Sequence, residues 1–145
     1  MTLAISPRHP VLWPVAGMVL LTAVTWVRMY VERIGEMRKR RISAQRIASR
    51  HDAANILTTT QAADHFANLF ELPVLFYVLC MCLIITGMES GLFVAGAWAY
   101  VALRGLHTAI HLTYNRVMHR FAAYVASSLA LFLMWAIFIW QQALT

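Results

Sequence analysis

The chain has 145 residues, enough for one domain, and carries 61% hydrophobic but only 12% charged residues, against about 25% charged in ordinary soluble domains. So few charges cannot clothe a water-facing surface, which excludes a typical soluble domain and makes a membrane protein the leading class. The formal net charge of +6 raises the question of nucleic acid. Seven of the twelve basic residues, however, fall between Arg33 and Arg50, with no nucleic-acid-binding motif around them. A basic segment beside apolar helices orients a membrane protein instead, facing the cytoplasm near anionic lipid.

The first apolar stretch runs over about residues 11–31, close to the ~20 residues a bilayer crossing needs. It does not read as a signal peptide: it is long, lacks a small-residue cleavage site and continues into "RMYVERIGEMRKRR". The basic loop 33–50 follows. The second stretch covers residues 66–87, and Thr58 with Gln61 fits a capping box that would start its helix ahead of the membrane. From Thr58 to Gly87 is about 29 residues, or about 43 Å of helix, longer than the ~30 Å hydrocarbon core. Pro73 lacks an N–H and is expected to kink this helix.

The third stretch is 91–112, reached by the short link "MESG", and the fourth is 121–140, after "TYNRVMHR". Cys80 and Cys82 lie two positions apart, about 200° around a helix, and read as packing residues rather than a disulfide. The tryptophans and Tyr100 read as interface or packing aromatics. These elements imply an all-α membrane protein, a four-transmembrane-helix bundle in a single domain over 1–145. The loops orient it: 33–50 and the Arg116–Arg120 link face the cytoplasm, the uncharged-by-Lys/Arg "MESG" link the other side, and both termini lie opposite the basic loop. Arg8 is a mild dissent.

Polar residues recur at helical spacing inside these apolar runs. Asp64, Asn68 and Glu71 are spaced i, i+4, i+7, one helix face. Arg104, His107 and His111 do the same on the third span; Arg120, Tyr124 and Ser127 mark the fourth, and Arg28, Arg33 and Arg38 the end of the first. The topology puts all four patches at one depth. Ionised groups near a bilayer centre cost about 2.5–3.5 kcal/mol on insertion scales, so they are expected to face one another across a polar pocket near the cytoplasmic side. Plainer readings stand beside this one. Arg104 and Glu71 would make a buried ion pair that fixes helix register, Asn68 a bond between helices, and the histidines polar packing. Arg116 and His119 read as solvated loop groups. Zinc on His107 and His111, with Asp64 or Glu71, is a further reading, but position 108 is Thr, so there is no HExxH, and two nearby arginines would repel a cation; no metal site is expected.

The runs "NLFELPVLF" and "LRGLHTAIHLTYNRVMHRFAAY" resemble the MAPEG superfamily, the membrane-associated proteins in eicosanoid and glutathione metabolism, in a bacterial-type member. The resemblance spans nearly the whole chain: four spans, a long basic first loop, Asn-x-x-Glu on the second span and Arg-x-x-His on the third. It implies a homotrimer that holds glutathione between neighbouring subunits toward the cytoplasmic side and brings it a lipophilic electrophile or peroxide from membrane lipid. On that basis Arg38, Asn68, Glu71, His107 and His111 would bind glutathione, and Arg120 and Tyr124 would be catalytic, Arg120 stabilising the thiolate. The chain departs from the family at Asp64, where several enzymes have Arg, and at Ala67, where the prostaglandin E synthase branch has Arg. Like charges ~4 Å apart repel by about 4 kcal/mol at an effective dielectric of 20, so Asp64 bears directly on an anionic tripeptide. The alternatives are a non-enzymatic lipid- or peptide-binding protein on the same fold, and a small transporter with Glu71 as its proton-coupled carboxylate.

Overall fold

The computed structural model describes residues 9–58 and 60–144; Arg8 lies outside them. Among the described residues the regular elements are all helical: α1 (Leu12–Arg40), a 3₁₀ turn (Ala44–Ile47), α2 (Arg50–Ile56), α3 (Gln61–Asn68), α4 (Leu72–Thr86), α5 (Gly91–Leu112) and α6 (Val117–Ala143). Three helical stretches are long and apolar enough to cross a membrane: α1, the α3–α4 pair taken together and α6. Helix α5 is 22 residues long, about 33 Å, but Arg104, His107 and His111 dilute its apolar character.

Helix α5 packs on α1, α3 and α6, while α4 rests on α1 and α6. The core between them is built from Met18, Phe76, Leu79, Leu83, Phe93, Ala97, Leu131 and Phe138, with Tyr100 stacked on Phe76 at 4.7 Å between ring centroids. Small residues let the backbones approach, as membrane bundles favour: a Cβ on Gly96 would sit 3.0 Å from the Met134 sulfur, and one on Gly17 3.2 Å from Val101. Large apolar side chains such as Leu20, Ile85, Leu129 and Trp140 point outward, the reverse of a water-soluble surface.

Three boundaries differ from the sequence expectation. Helix α1 continues nine residues past Val31 to Arg40, because hydropathy marks where lipid ends and not where a helix ends. The capping box does not form: Thr60 is the N-cap of α3 and makes no side-chain bond to it. Thr58 instead donates through its N–H and its hydroxyl to Oε1 of Glu36, each at 2.8 Å. Glu36 is buried on α1 and also holds Arg40, so one carboxylate ties the end of the basic loop back to the first helix.

The third difference is a break where one continuous helix was expected. Helix α3 ends at Asn68 and α4 begins at Leu72, with Glu71 at φ −93°, ψ −101°. Pro73 explains it: in a continuous helix its ring would clash with the carbonyl of Leu69, four residues back, and its missing N–H would leave that carbonyl without a partner. Placed in the first turn of α4, where its missing N–H would have no helical partner, the proline is tolerated. The far end of α4 closes on Gly87 at φ +69°, with Met88 N–H bonded to Leu83 C=O at 2.9 Å, a Schellman turn. Beyond it Glu89 accepts from His9 Nδ1 at 2.6 Å and from Val11 N–H at 3.3 Å. The start of α1 is thereby fastened to the α4–α5 link, at the opposite end of the bundle from the loop that Glu36 secures.

Candidate functional site

At the end of the bundle nearest the basic loop, α3, α5 and α6 enclose a cavity of about 260 Å³. Its walls include Asp64, Asn68 and Glu71 from α3 and the break, His107 and His111 from α5, and Arg120 and Tyr124 from α6, with Val117 and Phe121 at the apolar edge. Six of the seven residues assigned to the site therefore meet around one cavity. Their route there is not the expected one, because Glu71 does not share a helix face with Asp64 and Asn68. It reaches the cavity from the non-helical junction.

The seventh, Arg38, lies elsewhere. It is exposed and lines a separate groove with Trp26, Val27, Tyr30, Val31 and Ile34. Helix geometry gives the reason. Glu36 faces inward, and two positions on is about 200° around the helix, so Arg38 points away from α3 and α5. Ser127 also falls short of a chemical role: it is fully buried and its hydroxyl donates to the Tyr124 carbonyl at 2.8 Å.

Arg104 sits beneath the cavity, fully buried. Its Nη2 donates to the Asn68 side-chain oxygen at 2.7 Å and to the Asn68 carbonyl at 3.3 Å. The Asn68 amide nitrogen in turn donates to Glu71 Oε2 at 2.8 Å. The direct Arg104–Glu71 ion pair does not form; the amide stands between, its oxygen toward the cation and its nitrogen toward the anion. Nε and Nη1 of Arg104, and the Tyr100 hydroxyl, are buried without a hydrogen-bond partner among the described residues. The Tyr124 ring lies 5.8 Å from the Arg104 guanidinium carbon, within reach of a cation–π attraction.

Arg120 enters from the first turns of α6. Its Nη1 donates to His111 Nε2 at 3.1 Å and to Asn115 Oδ1 at 3.0 Å. Nε and Nη2 carry no hydrogen bond among the described residues, so the outer edge of the fork is open to a ligand. The positive N-terminal end of the α6 dipole adds to its field. His107 donates its Nδ1 proton to the Arg120 carbonyl at 3.0 Å, which leaves its other ring nitrogen as an acceptor.

His65 is fully buried beside His107 and His111. Each of the three rings offers a nitrogen within 4.8 Å of the others. His65 Nδ1 and His111 Nδ1 are 3.1 Å apart, and His65 Nε2 is 2.7 Å from the Thr108 hydroxyl. The sequence signal for His65 was its place three residues before Asn68, on the same side of α3; its partners lie more than 40 residues away on α5, which no local pattern reveals. Arg116 and His119 are exposed as expected, but His119 lies in the first turn of α6, of which Arg116 is the N-cap, and not in a loop. Asp64, exposed at the mouth, also borders a second cavity of about 290 Å³ that includes Arg33.

No curated protein and no solved structure matches the chain. The model of the MAPEG family matches residues 11–140, a stretch that holds every helix contributing to the cavity. With its apolar helices and outward-facing apolar side chains, this integral membrane protein belongs to the MAPEG family.

Proposed function

We propose that the protein is a glutathione-dependent transferase or peroxidase acting on lipophilic electrophiles drawn from membrane lipid, working as a homotrimer with α5 as its fourth crossing. The basic loop then faces the cytoplasm and the termini the other side. One observation carries this reading: Arg120, bonded through Nη1 to His111 and Asn115, lines a cavity that also holds Asn68, Glu71 and Tyr124.

Glutathione has an ammonium group, two carboxylates and a thiol, and the cavity offers a partner to the ammonium and to one of the anionic groups. The Glu71 carboxylate answers the ammonium. Arg120 favours negative charge at sulfur or carboxylate. When bound, glutathione supplies the nucleophilic or reducing thiol. Tyr124, with its ring between His107 and Arg104, can hold a proton for the leaving group. A cavity of about 260 Å³ is smaller than the ~300–1,000 Å³ of most ligand sites, as expected of a site completed by a neighbouring copy. The exposed groove bearing Arg38 suits such a neighbour.

Conjugation of glutathione to an aryl halide by the detergent-solubilised protein tests the reading. Arg120→Leu should abolish turnover and leave the oligomer intact; equal turnover in the variant rejects the role of Arg120. Asp64 favours the second reading, a non-enzymatic binding protein, because it brings a second carboxylate to a cavity meant for an anion. That reading predicts no conjugation and no glutathione protection against heating, where binding at 100 times Kd would add about 2.7 kcal/mol.

A further inference from the structure

The side chains behind Arg120 form a hydrogen-bonded row whose direction is fixed at both ends. At the buried end the Thr108 hydroxyl lies 2.8 Å from the Arg104 carbonyl, which can only accept. The hydroxyl has one proton and spends it there, so toward His65 Nε2, 2.7 Å away, it must accept. His65 therefore carries its proton on Nε2 and presents a bare Nδ1. His111 Nδ1, 3.1 Å from that atom, must donate, which leaves His111 Nε2 bare. At the other end a guanidinium, which can only donate, meets this bare nitrogen at 3.1 Å. Reversing the row would require a carbonyl to donate and a guanidinium to accept. Both rings are neutral in this arrangement, each in a single tautomer, and every link is satisfied.

We propose that His65 and Thr108, neither of which lines the cavity, are positioning residues: they hold His111 in the tautomer that accepts from Arg120, and so aim the open edge of the guanidinium into the site. The role deepens the glutathione reading and gives α3 and α5 a say in chemistry carried out on α6. It also accounts for two of the three histidines buried at this place. The two Nδ1 atoms point at each other and share one proton, and a cation bound between them would force His111 to turn an N–H toward Arg120.

Thr108→Val removes the hydroxyl. The His65 Nε2 proton then has no acceptor, and moving it to Nδ1 sets two N–H groups against each other unless His111 also switches. His111 would then carry its proton on Nε2, facing Arg120, and the guanidinium would be released. Thr108→Ser keeps the hydroxyl and should restore the row, and His65→Asn keeps an oxygen acceptor toward His111.

The experiment uses the full-length protein in detergent micelles, labelled with ¹⁵N-histidine, with the His111 signals assigned by their loss in His111→Gln. The wild type should show His111 protonated at Nδ1 and bare at Nε2. Thr108→Val should move that proton to Nε2, while Thr108→Ser and His65→Asn should retain the wild-type pattern. Losing the bond to Arg120 should lower kcat for conjugation about tenfold with KM for the electrophile little changed. The proposal is overturned by an unaltered His111 pattern in Thr108→Val, by failure of Thr108→Ser to restore it, or by zinc binding stoichiometrically to all three rings in the wild type. The nitrogen signals decide the matter whether or not the protein conjugates glutathione, so failure of the catalytic reading and failure of the row are told apart.

Discussion

Arg104 and Asn68 are joined at 2.7 Å, guanidinium to side-chain oxygen, in a part of the bundle where Arg104 is fully buried. The contact sets which way the Asn68 amide faces and therefore presents its nitrogen to Glu71. A cation in the core is thus linked to an anion at the cavity without touching it.

Asn68→Ala should remove the only side-chain oxygen bonded to Arg104 among the described residues. Hydrogen bonds to charged groups contribute about 1.5–3 kcal/mol, and a buried charge left without its partner costs about 3–5 kcal/mol. The midpoint of thermal unfolding in detergent should fall markedly. Asn68→Asp keeps an acceptor for Arg104 but sets a carboxylate against Glu71, so it should unfold near the wild-type temperature while losing glutathione binding. A wild-type midpoint for Asn68→Ala would show that Arg104 finds another partner.

Asp64→Arg places a cation where several family enzymes have one and changes the charge at the mouth by about two units. The site is exposed, so solvent screens the effect, and a gain of about tenfold in glutathione affinity, ~1.4 kcal/mol, is expected. Isothermal titration of both proteins measures it; equal or weaker binding in the variant would mean that Asp64 does not oppose the ligand.

Glu36→Ala should loosen the basic loop by removing the acceptor of both Thr58 bonds and the partner of Arg40. Those donors are exposed and can turn to water, so the loss is the net worth of the bonds, about 0.5–1.5 kcal/mol each. Limited trypsin digestion should then cut at Arg40, Arg41 or Arg46 faster than in the wild type, while conjugation activity is retained. Unchanged digestion would assign the loop's order to other contacts.

Pro73→Ala lifts the restriction that separates α3 from α4. If the two merge, the junction that carries Glu71 into the cavity is lost. The unliganded protein should be as stable as the wild type or slightly more so, since Ala is the better helix former by about 3 kcal/mol in a helix interior. Protection by glutathione against heating should disappear. Retained protection would show that packing, and not the proline, makes the break.

The sequence resolved some features of this molecule and hid others for definite reasons. The ends of α5 were readable because the short link "MESG" opens it and the polar link "TYNRVMHR" follows Leu112. The meeting of Asn68, His107, His111, Arg120 and Tyr124 was readable from helix spacing plus alternating chain direction, whereas Glu71 arrives from the junction and not from a helix face. The break at 69–71 was hidden behind the apolar run that continues through it, although Pro73 marked the place. Arg38 lies apart from the cavity within one subunit, because the inward face of α1 is set by Glu36, two positions earlier. The Thr108–His65–His111 row was invisible because each ring's proton is dictated by a neighbour on another helix.

Glu71 owes its position to the two backbone dihedrals of a junction and not to the pitch of a helix. An inserted or deleted residue within α4 would rotate everything beyond it by about 100° and leave the Asn68–Glu71 contact undisturbed. The interruption therefore makes this crossing modular. Its two halves take their orientations separately, the inner from α3 packed on α1 and α5, the outer from α4 packed on α1 and α6.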